Sequence, residues 1–67
     1  MEIDVNGEAA AFDGKNIPDL LIARGFEPKQ SGLAVAVNGA VVPRSAWEKT
    51  LLNHDDKVEI VQIVQGG

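Results

Sequence analysis

Asn-Gly occurs twice in this chain, at positions 6–7 and 38–39, each time between short apolar segments. A type I′ turn needs positive φ at both central residues, which Asn and Gly tolerate best, so the dipeptide is a strong local signal for a tight β-hairpin. A chain of 67 residues buries only about 60% of its unfolded surface on folding. Two hairpins in so short a chain must therefore share one core and one domain.

Alternation supplies the strands. Met1, Ile3 and Val5 fall on one side of residues 1–5, with Glu2 and Asp4 on the other, the pattern of a half-buried strand. Residues 8–12 would return from the first turn; their alanines are weak strand formers, so that strand rests on the turn and on Phe12. Asn16 is placed to cap a helix, with Pro18 in the first turn, Asp19 at the positive end of the dipole, Ile17, Leu20 and Leu21 on one stripe, and Gly25 as a left-handed stop after Arg24. A polar run at 28–32 leads to a buried strand at 33–37, and residues 40–42 return from the second turn until Pro43, which belongs at a sheet edge or end. Trp47 and Leu51, four apart, would share a face of a short helical turn. A turn at 53–56 precedes the strongest strand, 58–64. The order is ββαββ, an interposed turn and a last strand.

Zero cysteines exclude a disulfide framework, a thiolate metal site and chemistry on the protein's own thiol. The first residues lack a basic segment followed by an apolar one, and no stretch approaches the roughly 20 apolar residues of a membrane span, so a cytoplasmic protein without membrane association is expected. The net charge is −4, and the six basic residues are scattered, which disfavours nucleic-acid binding. His54, Asp55 and Asp56 are adjacent on a turn and cannot converge on one ion, so no metal site is expected. Arg44 is expected to hydrogen-bond a carbonyl near a strand end, and Trp47 to fill the core.

The last strand carries apolar residues on both faces: Val58, Ile60 and Val64 alternate with Val61 and Ile63. One helix covers one side of a sheet, so Val61 and Ile63 are expected either to form an exposed patch awaiting a partner, joined by Gln62, or to lie under loops. After that strand come Gln65, Gly66 and Gly67. The expected division is one domain over residues 1–64 and a flexible tail over 65–67, thin enough at its two glycines to enter a slot too narrow for a Cβ.

Three features carry a resemblance over nearly the whole chain. Asn38-Gly39 is followed by Val42-Pro43-Arg44 and by Trp47 three residues beyond the arginine; residues 58–64 form an apolar last strand; and Gly66-Gly67 close the sequence. In these the chain resembles the thiamine-biosynthesis sulfur carriers of the ubiquitin-like family. It departs from them at Asp55-Asp56, where the family usually has Gly-Asp, leaving the geometry of that turn open. The resemblance implies an α+β protein with the ubiquitin-like β-grasp fold, a mixed sheet of about four to five strands with one main helix across one face. It further implies that the first and last strands lie parallel and adjacent at the centre of the sheet.

The resemblance also implies a chemistry. A carboxylate is ionised at neutral pH and is a poor electrophile. An adenylating partner resembling the ubiquitin-activating enzymes would use ATP to convert the Gly67 carboxylate to an acyl-adenylate. A persulfide from a cysteine desulfurase or relay protein would replace the AMP, leaving a thiocarboxylate for a thiazole synthase. Gly66 and Gly67 are then the reacting end, and Val61, Gln62, Ile63, Val64 and Gln65 the partner-binding segment. The chain would bind no cofactor, catalyse nothing itself and be a monomer when free. Carriers feeding molybdopterin or cysteine synthesis share the fold and tail without, typically, the Val-Pro-Arg and tryptophan block; a ubiquitin-like modifier or adaptor is the remaining alternative.

Overall fold

A computed structural model describes residues 1–63. The elements are β1 (Glu2–Val5), β2 (Glu8–Ala11), α1 (Ile17–Ala23), β3 (Leu33–Val37), β4 (Ala40–Val42), a 3-10 helix (Arg44–Lys49) and β5 (Lys57–Gln62). The sheet order is β2-β1-β5-β3-β4, with β1 and β5 parallel and the other neighbours antiparallel. The last strand thus lies at the centre, beside the first, with β4 and its trailing Pro43 at an edge. Both Asn-Gly turns have positive φ at each residue, 52° and 87° at Asn6-Gly7, 51° and 85° at Asn38-Gly39, as type I′ geometry requires.

The helix forms where its caps place it. Asn16 Oδ1 accepts from Asp19 N at 3.0 Å, while Asp19 Oδ2 accepts from Asn16 N at 3.4 Å and Lys15 N at 2.9 Å, closing a capping box. At the other end Gly25, at φ 86°, donates to Ile22 O and Phe26 N donates to Leu21 O, a Schellman termination. Ile17, Leu20 and Leu21 are thereby held against Ile3, Val5, Leu33, Val35, Val58 and Ile60, and Phe12, Trp47 and Leu52 close the ends of this core. Ala9, Ala11, Ala34 and Ala36 alternate with the inward residues of their strands and keep the uncovered face flat.

Three sequence expectations are corrected. Leu51 does not share a face with Trp47: it is 64% exposed, and Leu52 is the buried residue. The 3-10 helix ends at Lys49 and Thr50 is extended (φ −90°, ψ 105°), so side chains beyond it alternate instead of recurring every four residues. Met1 precedes β1 and is half-exposed, because the core has ended there. The last strand runs over Lys57–Gln62, and Val64 lies outside the described residues.

Candidate functional site

The site expected from sequence is the end of β5 and the residues after it. Val64, Gln65, Gly66 and Gly67 lie outside the described residues, so the structure bears on the root from which they extend. Along β5 the inward residues Val58 and Ile60 are buried, while Val61 is 51% and Ile63 60% exposed on the uncovered face. Across β3 from Val61 lies Ala34, and Glu59 and Val41 flank Ala36, so Val41, 76% exposed, extends the same uncovered face. Of the two expectations for Val61 and Ile63, exposure is what the fold gives. Gln62 is exposed too, but alternation places it on the side of Ile60, away from Val61 and Ile63; the three do not form one patch.

This root is held from both sides. On the β3 side Ile63 N donates to Gly32 O at 2.7 Å, extending the ladder one residue beyond the strand. Gly32 has φ 82°, and a Cβ there would stand 2.5 Å from Ile63 O, so only glycine permits this approach. On the β1 side the hairpin turns away at Asn6, and the Asn6 side chain continues the pairing in its place: Ile60 N donates to Asn6 Oδ1 at 2.8 Å and Asn6 Nδ2 donates to Ile60 O at 3.3 Å. The other turn acts on the start of the same strand, where Asn38 Oδ1 accepts from Lys57 N at 2.9 Å and Asn38 Nδ2 donates to Asp56 Oδ1 at 3.0 Å.

The Val42-Pro43-Arg44 and Trp47 block proves to be a brace. Trp47 Nε1 donates to Val42 O at 2.9 Å, and the Arg44 guanidinium lies 4.4 Å from the centre of the indole ring. From there it donates to Pro28 O and, at 2.7 Å, to Gln30 O, fixing the loop that leads into Gly32. The block therefore acts on the tail's root through the loop. Gly32 and Asn6 were not singled out as site residues by sequence reasoning; a positive-φ glycine just before an apolar strand was the available signal for the first, and none existed for the reach of the second.

The 53–56 turn is tied by its own polar groups. Asp56 Oδ2 accepts from Asn53 N at 2.7 Å, and His54 Nδ1 accepts from Glu2 N at 3.1 Å. Asp55 takes φ 70°, the left-handed conformation that glycine adopts at least cost, which settles the geometry left open by the sequence. Among the described residues no helix is long and apolar enough to cross a membrane.

The model of the ThiS family matches residues 3–67. The chain is 30% identical to the sulfur carrier protein ThiS of Escherichia coli, over the whole of both chains. It is 38% identical to a stretch of a thiazole synthase of Magnetococcus marinus, the match taking in all of this chain and 20% of that protein. A crystal structure of the thiamine biosynthesis protein (ThiS) from Geobacter metallireducens superposes with a TM-score of 0.82 at 31% identity, covering both chains completely.

Proposed function

The chain belongs to the ThiS family, the sulfur carriers of thiamine biosynthesis, and we propose that its reagent is the Gly67 carboxylate, presented by β5 to enzymes that do the chemistry. The carboxylate oxygen attacks the α-phosphorus of ATP on an adenylating partner and pyrophosphate leaves. A persulfide from a cysteine desulfurase or relay protein attacks the resulting acyl carbon and AMP leaves. A second thiol on the donor side then cleaves the sulfur–sulfur bond, forming a disulfide and releasing the thiocarboxylate. A thiazole synthase accepts that sulfur and returns the carboxylate.

The observation that carries this reading is the family match through residue 67, which includes Gly66-Gly67. The thiazole synthase with a stretch similar to this whole chain supports that enzyme as the acceptor. ATP is a substrate of the adenylating partner, and this chain holds no cofactor of its own. Its share of the work is recognition and delivery: a rigid central strand fixes where the tail begins, and two glycines let it enter a narrow active site. The Val-Pro-Arg and tryptophan block favours the thiamine pathway over molybdopterin or cysteine synthesis.

The test is an incubation with an adenylating enzyme, ATP and a persulfide source, followed by intact mass. The expected product is heavier by the difference between sulfur and oxygen, the increment mapping to the C-terminal peptide and vanishing when Gly67 is deleted. A terminus left unchanged by competent partners would overturn the carrier reading.

A further inference from the structure

The ladder on the two sides of β5 ends at different places. The pairing of β3 with β5 sets Val61 opposite Ala34 and Gln62 opposite Leu33, and Ile63 N still donates to Gly32 O. Odd-numbered residues of β5 thus direct their backbone groups toward β3, and even-numbered ones toward β1. On that second side Asn6 N donates to Val58 O, and the Asn6 side chain serves Ile60. Two residues on, β1 has already turned away through Gly7. The Gln62 N–H and C=O point at the side where no strand stands, and among the described residues neither has a hydrogen-bond partner. Val61 and Ile63 flank this opening with exposed apolar side chains. A shallow depression bounded by Asn6, Gly7 and Val61 lies beside it.

We infer that Gln62 is a backbone docking point, where an extended segment of the thiazole synthase adds to β5 in line with Asn6 and holds the root of the tail straight. This rests on the sulfur-carrier reading. An unpaired donor and acceptor at strand spacing fit a main chain better than any single side chain. Four residues, 64–67, follow Ile63. They reach at most about 14 Å when extended, so an enzyme acting on Gly67 must come close to Gln62. The thiazole synthase that contains a stretch like this chain points to the same enzyme as the occupant.

The test replaces one backbone atom. A full-length chain made by semisynthesis carries an ester in place of the Val61–Gln62 amide, which removes the Gln62 N–H and retains every side chain. Its affinity for the thiazole synthase and its thermal midpoint are compared with those of the all-amide chain. The expected result is a loss of about tenfold in affinity with a nearly unchanged midpoint. An ester at the Ala–Val type of position inside the ladder, the Ile60–Val61 bond, is the control and should lower the midpoint, since the Val61 N–H faces Ala34. If the all-amide chain binds the synthase and the Gln62 ester binds equally well, the docking point is refuted while the carrier reading stands. If the ester instead abolishes self-association and leaves synthase affinity intact, the occupant is a second copy and the inference is likewise overturned. If the all-amide chain fails to bind the synthase at all, the carrier reading's acceptor is wrong and the docking point falls with it.

Discussion

The turns at Asn6-Gly7 and Asn38-Gly39 have nearly the same backbone and send their asparagine side chains to the same strand, yet they support it differently. Asn38 bonds the start of β5 at an exposed site beside a backbone ladder that holds the strand anyway. Asn6 bonds Ile60 at a part-buried site where backbone pairing has run out, and so stands in for a missing strand. Identical local sequence thus gives a redundant tie in one place and a sole tie in the other, because redundancy is set by what the rest of the sheet provides.

Gly32 should show the largest effect, since it holds the opposite side of the same root. Gly32→Ala puts a Cβ at positive φ and against Ile63 O, and is expected to cost about 3 kcal/mol in urea denaturation. A cost below about 1 kcal/mol would mean the loop yields and the root is not fixed from that side. The two turns are compared directly with glycine, which keeps each backbone conformation and deletes only the side chain. Asn6→Gly strands the Ile60 N–H and C=O and should cost about 2 kcal/mol. Asn38→Gly leaves groups that water can reach and should cost under about 1 kcal/mol. Equal costs would erase the distinction. The smallest effect is a gain: Asp55→Gly relieves the left-handed conformation at φ 70° and should stabilise by about 0.5 kcal/mol.

What was legible in the sequence was what local chemistry decides. The turn types, the capped and glycine-terminated helix, the edge position of β4 and the exposure of Val61 and Ile63 all follow from spacing and residue type. The parallel pairing of β1 with β5 came from family resemblance, because it joins segments more than fifty residues apart and leaves no local periodicity. The exchange of Leu51 for Leu52 was hidden for a related reason: one 3-10 turn before an extended residue shifts the phase of everything after it. The side-chain reach of Asn6 to Ile60 was hidden as well, since an Asn-Gly pair reads as a turn whatever its amide does. Gln62 was grouped with its neighbours by position in sequence, whereas the pleat separates them.

The most direct measurement follows the sulfur itself. The chain is prepared with a heavy-isotope thiocarboxylate on Gly67 and mixed in a single turnover with the thiazole synthase and its remaining substrates, and both the thiazole and the protein are weighed. The expected result is a thiazole heavier by the isotope difference and a carrier returned to the mass of its plain carboxylate. An unlabelled thiazole, with the heavy sulfur still on the protein, would contradict the claim that this domain exists to deliver the atom at the end of its tail.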